Sequence, residues 1–482
     1  MANNKINNEI TNLDALALSK AIKSKKYSCV EVMETYLDKI DELNPKVNAI
    51  VSLRQRDELV VEAKEKDNLL AKGEYQGWMH GFPHAVKDLS STKGIPSTMA
   101  FPGLKNYIPA QDSVMVERLR RDGAIIIGKT NTPEFGLGSN TYNNVFGTTY
   151  NAYDQSKTSG GSSGGAAVAL ALKMVPVADG SDMMGSLRNP TAFNNVFGFR
   201  PSQGRVPFGP MPELFISQLG YEGPMGRTVK DTAQLLMTQS GYDSRTPMTL
   251  TNRLPNEFVA TDKPEKSLKI GWLGNLGDLP MEKGILELCE RSLKTFESLG
   301  CHVEPTKLNV SSDFIWQTWL TCRHFYVSNG LRPLYNNPDM RKLLKPEAIW
   351  EVEGGLNMNG EQFFKGCVDR SAIYNAFAEL FKQYDFVIMP SAQVFPFDAS
   401  LHSPQEIEGK KMDTYHRYME IVISVTLAGL PSLNIPVGFG QNGLPMGMQL
   451  IGPYTQDFDV LKLGHAYEQA CGWTSHLPPL LK

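Results

Sequence analysis

Apolar residues recur at helical spacing near the start of the chain. The first stripe consists of Leu13, Leu16, Ala17 and Ile22, because positions three or four apart lie on one face of a helix. A second helix is predicted to begin at Ser28, where Glu31 completes a capping box, and to stop at Asn44-Pro45. The N-terminal region is therefore predicted to be helical.

Further along, short apolar runs alternate with helical segments. Buried strands are predicted at 124–127, 269–273 and 386–389, and a glycine-rich loop at 160–165 leads into an alanine-rich helix. Such alternation is typical of a sheet that is covered on both faces. We expect an α/β fold in which helices cover both faces of a central, mixed and mostly parallel β-sheet.

The segment 310–366 has a different pattern. It contains no strand-like run, and it is rich in the aromatic residues Trp316, Trp319, Phe325, Tyr326 and Trp350. We interpret it as a helical insertion that caps the substrate pocket, with aromatics that either form a satellite core or wall an apolar pocket. The length of 482 residues allows two domains. No repeat or long linker divides the chain, so a single domain over 1–482 is expected.

Composition narrows the class of partner. Hydrophobic residues make up 41% and charged residues 21%, with a formal net charge of −3, which is ordinary for a soluble globular protein. This balance gives no sign of the basic patch that a nucleic-acid or membrane-surface partner requires. The first twelve residues are polar, and no apolar run is long enough to span a bilayer. We expect a cytoplasmic protein without nucleic-acid or membrane partners, and the sequence leaves open whether it forms a homodimer.

Candidate metal and cofactor sites are weak. The six cysteines form no Cys-x-x-Cys pair, so neither a zinc site nor a disulfide framework is indicated. His80 and His84 are four apart, but Gly81 and Pro83 argue against a helix there. The run 438–443 fits Gly-x-Gly-x-x-Gly, yet a strand-like run follows it, so Asn442-Gly443 is interpreted as a hairpin turn. We therefore expect no metal and no cofactor.

Three short motifs carry candidate chemistry. The loop 160–165 holds two serines among four glycines, which permit close approach to the backbone. In the run 182–190, Ser186 follows a glycine, which suits a nucleophile on irregular backbone with N–H groups aimed at an oxyanion. Lys87 follows the partly apolar run 81–86, which can bury it. Taken alone, the glycine-rich loop could be a flexible linker, although its apolar flanks argue against that. The run around Ser186 would be a turn in most proteins, and a lysine beside an aspartate is normally a solvated surface charge.

Taken together, the three motifs resemble the amidase signature family. They occur in the family's order of Lys, Gly-Ser-Ser-Gly and Gly-Ser-x-Arg-x-Pro, and Lys87, Ser162 and Ser186 are separated by 75 and 24 residues. The runs 128–135, 428–431 and 443–450 add to the similarity. The resemblance covers nearly the whole chain.

The resemblance implies a role for each matching residue. The nucleophile falls on Ser186, the serine of a cis peptide on Ser162, and the base on Lys87. Four backbone N–H groups would form the oxyanion hole, those of Met183, Met184, Gly185 and Ser186. Four residues would support the site, namely Gly161, Ser163, Asp182 and Arg188. Many members have glycine at the position of Met184, so this side chain is expected to narrow the space near the acyl carbon.

The implied chemistry is self-consistent. A serine hydroxyl needs a base, and a neutral lysine can serve if burial offsets a cost of about 5 kcal/mol for deprotonation at pH 7. The resemblance implies an amidase that hydrolyses a non-peptide C–N bond of a small-molecule amide, such as an acyl amide or anilide, with carbamates and esters left open. An alternative is the glutamine-hydrolysing subunit of a tRNA-dependent amidotransferase, from which the Met183-Met184 pair and Asn189 depart. A binding protein with an inactive site is a third alternative.

Overall fold

The structure is a computed structural model that describes residues 8–252 and 255–482. Of the polar N-terminal segment that contributed to the prediction of a cytoplasmic protein, residues 1–7 lie outside the described part. The helices of the described part are α1 Asn8–Asn12, α2 Ala15–Lys23, α3 Cys29–Val47, α4 Arg56–Ala71, α5 Val114–Arg121, α6 Gly164–Ala171, α7 Asn189–Phe193, α8 Val229–Gln239, α9 Ile285–Ser298, α10 Ser312–Asn336, α11 Pro338–Arg341, α12 Pro346–Gly355, α13 Gly360–Leu380, α14 Ile423–Ala428 and α15 Asp457–Cys471. Its strands are β1 Ile50–Val51, β2 Pro83–Lys87, β3 Ile125–Thr130, β4 Ala178–Asp182, β5 Phe197–Arg200, β6 Tyr221–Gly226, β7 Lys269–Trp272, β8 His302–Pro305, β9 Phe386–Pro390, β10 Glu406–Ile407, β11 Lys410–Lys411, β12 Ser432–Phe439 and β13 Pro445–Ile451.

An eight-stranded sheet in the order β4-β6-β5-β12-β13-β9-β7-β8 forms the centre of the fold. Helices flank it, as α8 packs on β6, α15 on β12 and α9 on β8. The expected α/β fold with a mixed sheet is confirmed. The expected predominance of parallel pairs is wrong, because among the described strands of this sheet five neighbouring pairs are antiparallel and only β7-β8 and β7-β9 are parallel.

A smaller sheet positions the lysine. It has the order β1-β3-β2, and β2 runs parallel to β3 with Lys87 paired to Thr130. Every residue of β2 is buried, so this strand places its C-terminal side chain inside the protein.

The N-terminal helices follow their sequence signals with two differences. The Ser28 capping box is present in α3. Pro45 lies inside this helix, which ends instead at Val47, and Asn48 caps it in a left-handed conformation. Of the first apolar stripe, Leu13 lies in the turn between α1 and α2 and the other residues lie in α2, since the Asp14 carboxylate caps a new helix by accepting from Ala17 N–H.

The segment 310–366 contains α10, α11, α12 and the start of α13, which continues to Leu380. Trp316 and Trp319 on α10 are almost fully buried in the main apolar core. Phe325 stacks on Phe363 of α13 with ring centroids 3.6 Å apart. These aromatic side chains pack α10 onto its neighbours.

Two large apolar clusters fill the interior, and they meet beside Ser186. Met184 belongs to one cluster and Leu187 to the other. The loop after β4 is thus held between two packed cores. Within the described ranges, no helix is long and apolar enough to cross a membrane, and all six cysteines are free thiols.

Candidate active site

Lys87 is fully buried at the end of β2, and its amine is surrounded by serine oxygens. The Nζ atom lies 2.8 Å from Ser162 Oγ and 2.7 Å from Ser163 Oγ. It also lies 3.0 Å from Ser181 Oγ and 3.3 Å from the Ser181 carbonyl oxygen. The amine therefore has polar partners in a place where water is excluded.

Asp179 on β4 fixes the position of β2. Its carboxylate accepts a hydrogen bond of 3.1 Å from Lys87 N–H and lies 2.9 Å from His84 Nε2. All three residues are buried. The carboxylate thus joins β2 to β4, the strand that leads to Ser186.

Burial determines the protonation of Lys87. Removal of the ammonium from water lowers the pKa of Lys87 to about 7, and the carboxylates of Asp179, Asp182 and Glu222 only partly oppose this effect. A value near 7 leaves a substantial neutral fraction at physiological pH, as a base requires. A second buried lysine, Lys129, directs its amine elsewhere, to the Ser90 carbonyl oxygen at 2.6 Å and to Thr92 Oγ1 at 2.8 Å.

The glycine-rich loop before α6 carries Ser162. The Gly161–Ser162 peptide bond is cis, and Ser139 Oγ donates to the Gly161 carbonyl oxygen at 2.8 Å. A Cβ atom at Gly161 would lie 3.1 Å from the backbone nitrogen of Asn140. Glycine is needed there because another backbone segment approaches closely.

The loop after β4 carries Ser186, whose side chain is 6% exposed. The Asp182 carboxylate accepts from Gly185 N–H and Leu187 N–H, each at 3.0 Å. Gly185 has φ of +80° and a Cβ there would lie 2.8 Å from Val422, so the turn before Ser186 requires glycine. Asp182 therefore shapes the backbone on both sides of Ser186.

Two arginines hold Asp182. Arg188 donates to both of its carboxylate oxygens at 2.9 and 3.0 Å, and Arg200 lies 3.2 Å from one of them. All three side chains are fully buried. Burial alone would raise the pKa of Asp182, but the two guanidinium groups outweigh it and hold that pKa well below its usual range.

The predicted oxyanion donors differ in availability. Gly185 N–H is already engaged by Asp182 at 3.0 Å, so it is not free in this structure to bind an oxyanion. This narrows the prediction to the N–H groups of Met183, Met184 and Ser186, for which it stays a prediction.

Ser162 and Ser186 line one cavity of about 280 Å³. Its wall is mainly apolar and includes Leu89, Phe135, Met183, Met184, Phe208, Val327, Leu331 and Met419. The charged residues in the described lining are Asp182 and Arg323, and Asp182 is neutralised by its arginines. The cavity suits a mostly apolar molecule.

The structure brings all the sequence-predicted residues to this region. Lys87, Ser162 and Ser163 are in contact, and Asp182 and Arg188 support the loop of Ser186. Sequence reasoning missed Asp179, Ser181, Arg200 and Arg323. For Asp179 and Ser181 a signal existed, because both lie within three residues of Asp182 on β4, whereas Arg200 comes from β5 and Arg323 from α10.

Metal ligation has no visible basis in the described part of the chain, where no group of three or more His, Cys, Asp or Glu side chains has a metal-binding arrangement. Independence of metal stays a prediction.

Comparison with known proteins places this geometry in a family. The sequence profile of the amidase family matches residues 31–461. The chain is 32% identical to a glutamyl-tRNA(Gln) amidotransferase subunit of Alkaliphilus metalliredigens over 98% of this chain and 99% of that protein. Among solved structures it is similar to a bacterial aryl acylamidase of the amidase signature family, with a TM-score of 0.89 and 29% identity over 96% of this chain and 97% of that one. It is also similar to the corresponding amidotransferase subunit of Thermotoga maritima, with a TM-score of 0.74 and 26% identity over 97% of both chains. A buried lysine joined to a serine of a Gly-Ser-Ser-Gly loop, in a chain with these relatives, shows that this protein belongs to the amidase family.

Proposed function

We propose that this protein is a stand-alone amidase that hydrolyses acyl amides or anilides through an acyl-enzyme on Ser186. The observation that carries the proposal is the contact of 2.8 Å between the buried Lys87 amine and Ser162 Oγ, in a cavity that Ser162 shares with Ser186. The relay Ser162 and the nucleophile Ser186 thus face one cavity, and the base Lys87 contacts the relay.

Hydrogen-bond counting gives the relay a direction. A neutral amine has two N–H donors and one lone pair. Ser163 Oγ can accept one of these N–H groups, and its own hydroxyl can donate a hydrogen bond to the Ser181 carbonyl oxygen at 3.3 Å. Ser181 Oγ can accept the second N–H group. The lone pair is then left for the hydroxyl proton of Ser162.

The proposed reaction follows from this direction. Lys87 takes the proton of Ser162 while Ser162 takes that of Ser186, and Ser186 Oγ forms a bond to the amide carbon. Backbone N–H groups of the loop stabilise the resulting oxyanion. The C–N bond then breaks as Ser162 returns a proton to the nitrogen, and Lys87 reprotonates Ser162. A water molecule then attacks the acyl carbon while its proton passes to Ser162 and from Ser162 to Lys87. The C–O bond to Ser186 breaks, Ser186 Oγ takes the proton back through Ser162, and the acid is released.

The lining supports an apolar acyl or aryl group as the main recognition element. The TM-score of 0.89 to an aryl acylamidase agrees with this substrate class. We further propose that the segment 310–366 caps the pocket, because α10 contributes Arg323, Val327, Gly330 and Leu331 to the lining. These positions recur at the spacing of one helix face.

The alternative is a glutamine-hydrolysing amidotransferase subunit, favoured by the 32% identity to such a subunit over nearly the whole chain. Free glutamine carries an ammonium and a carboxylate, and each requires an opposite charge in a closed pocket. The carboxylate in the described lining, Asp182, is already paired with two arginines. The carboxylate of the described lining is therefore not available to pair with the ammonium of glutamine, which supports an amide substrate other than glutamine.

The test is hydrolysis by the purified chain alone. Wild-type protein should release aniline from simple acyl anilides without partner subunits, and Ser186→Ala should not. Glutamine should give no ammonia under the same conditions. Release of ammonia from glutamine with no hydrolysis of any anilide would reject the proposal in favour of the amidotransferase role.

A further inference from the structure

One charged side chain of the cavity has no part in the proposed proton path. Arg323 lies on α10, is only 3% exposed, and lines the same cavity as Ser186. A buried guanidinium is costly unless its N–H groups are paired. The partners of each nitrogen therefore indicate its role.

Two of its three nitrogens are firmly held. Arg323 Nε donates to Glu351 Oε1, and one terminal nitrogen donates to Tyr415 Oη at 2.7 Å. Tyr415 in turn donates to Glu351 at 2.5 Å. The guanidinium also lies 5.3 Å from the ring of Trp319. The orientation of the group is thus fixed by α12 and by the segment that carries Tyr415.

The third nitrogen is different. It lies 3.7 Å from the sulfur of Met183, and a thioether is a weak acceptor. Within residues 8–252 and 255–482, no oxygen acceptor pairs with this nitrogen, although it carries two N–H donors. Met183 belongs to the loop of Ser186, so these donors lie beside the region where the substrate reacts.

The charge of the site limits the ligand. Glu351 is fully buried, and its charged form is favoured because the Arg323 guanidinium outweighs the effect of burial and holds the pKa of Glu351 well below its usual range. Arg323 and Glu351 therefore form a neutral pair. A carboxylate on the substrate would add a net charge to a mostly apolar cavity, whereas a neutral oxygen would satisfy the donors without one.

We propose that Arg323 is a specificity-determining residue that donates a hydrogen bond to a neutral carbonyl-type oxygen of the substrate, separate from the scissile amide. This inference rests on the proposed amidase function and adds a substrate class to it, namely acyl anilides that carry a ketone, ester or second amide on an otherwise apolar frame. The fixed guanidinium needs little reorganisation to bind such a group.

The test uses matched anilides in a cycle of substrates and variants. One pair differs on the acyl side, with 4-oxopentanoyl anilide compared with pentanoyl anilide. The other pair differs on the amine side, with an acetanilide that carries a 4-acetyl group on its ring compared with one that carries a 4-ethyl group. A fifth anilide carries a terminal carboxylate on the acyl chain. The measured quantity is the ratio of kcat/KM within each pair, so a general change in activity cancels.

Removal of Arg323 alone would leave the buried Glu351 without its guanidinium counter-charge, so the test variant is Arg323→Met combined with Glu351→Gln, and Glu351→Gln alone is its matched control. In at least one pair, the ratio of kcat/KM for the ketone-bearing anilide over its partner should be about tenfold or more higher in wild type and in the control than in the double variant. Arg323→Lys, which keeps the charge but not the planar fork, should lose most of this preference.

Three outcomes separate the possibilities. Equal ratios in wild type and double variant for both pairs would overturn the inference while leaving the amidase function intact. A larger Arg323-dependent gain for the carboxylate than for the ketone would overturn the assignment of a neutral acceptor. Failure of wild type to hydrolyse any of the five anilides would reject the proposed function itself.

Discussion

The Lys87 amine lies 2.8 Å from the Ser162 hydroxyl, and both side chains are buried. Because burial lowers the pKa of Lys87 to about 7, the neutral amine is the minor form at acidic pH and the major form above that value. We predict that log kcat/KM rises with pH with a slope near one and reaches a plateau above about pH 7. A pH profile on an acyl anilide measures this limb.

Substitution of Lys87 tests whether this rise of kcat/KM with pH is due to the titration of Lys87. Lys87→Ala should lose about 10²- to 10⁴-fold in kcat/KM, and Lys87→Arg should fare no better because a guanidinium keeps its proton. The exposed Lys93 provides a matched control, and Lys93→Arg should behave as wild type. Near wild-type kcat in Lys87→Arg would contradict the assignment of the base.

The nucleophile can be identified by covalent labelling. A fluorophosphonate probe should modify Ser186, and peptide mass spectrometry should locate the adduct there. Ser186→Ala should abolish labelling and reduce kcat by on the order of 10⁴- to 10⁶-fold. Ser162→Ala should retain more activity than Lys87→Ala, because water can replace a hydroxyl relay. An adduct on Ser162 or Ser163 would contradict the assignment.

Chelators should leave activity unchanged, because each proposed step uses only serine, lysine and backbone groups. Incubation with EDTA followed by the anilide assay measures this. Loss of activity that zinc or magnesium restores would count against the mechanism.

Part of this site was predictable from local sequence. The partly apolar run before Lys87 indicated burial, and the glycines beside Ser162 and Ser186 indicated special backbone, since both properties depend on neighbouring residues. The role of Arg323 was not predictable, because the face of α10 that meets the cavity is decided by its packing against α12 and α13. These partners come later in the chain, and α10 has buried residues around much of its circumference.

Whether neighbouring strands pair parallel or antiparallel was also difficult to predict from local sequence. Short apolar runs such as Phe386–Pro390 predict a strand but not the direction of its neighbour. The turn at Asn442-Gly443 does specify direction, and β12 and β13 pair antiparallel on either side of it. The strands β5 and β6 also pair antiparallel, but a long loop joins them and carries no comparable signal.

Asp182 links stability to the shape of the nucleophile loop. Asp182→Asn would leave Arg188 and Arg200 without their buried counter-charge, so we predict a loss of about 3–5 kcal/mol in the free energy of unfolding at pH 7. The pKa of Asp182 is held below its usual range. Its contribution is therefore present above the unfolded pKa of about 4 and is lost as pH falls through the lower folded value.

Denaturant unfolding at several pH values measures this dependence. The difference between wild type and Asp182→Asn should be constant from about pH 8 to pH 5 and should shrink only below about pH 4. Glu65, an exposed carboxylate on α4, supplies a control in Glu65→Gln, which should change stability by under about 0.5 kcal/mol. A pH-independent difference down to pH 2 would show that Asp182 acts by shape alone.

Substitutions of two large side chains of α10 can distinguish a role in packing from a role in substrate recognition. Trp316 is 1% exposed and lies in the main core, outside the described lining of the cavity, whereas Leu331 lines the cavity. Trp316→Ala should lower the free energy of unfolding by about 3–5 kcal/mol. It should leave the ratio of kcat/KM for aryl over short aliphatic amides unchanged, because the wall of the cavity is intact.

Leu331→Ala should change substrate preference, because Leu331 is part of the cavity wall. Truncation of Leu331 enlarges the cavity beside Val327 and Met419, so bulky acyl groups should gain relative to short ones by about tenfold, the effect of one or two methylene groups in an apolar pocket. Thermal unfolding and the two kcat/KM values, measured on both variants, separate the effects. If Trp316→Ala changed substrate preference as much as Leu331→Ala does, the aromatic residues of α10 would have a direct part in recognition, and the cavity described above would not be the substrate pocket.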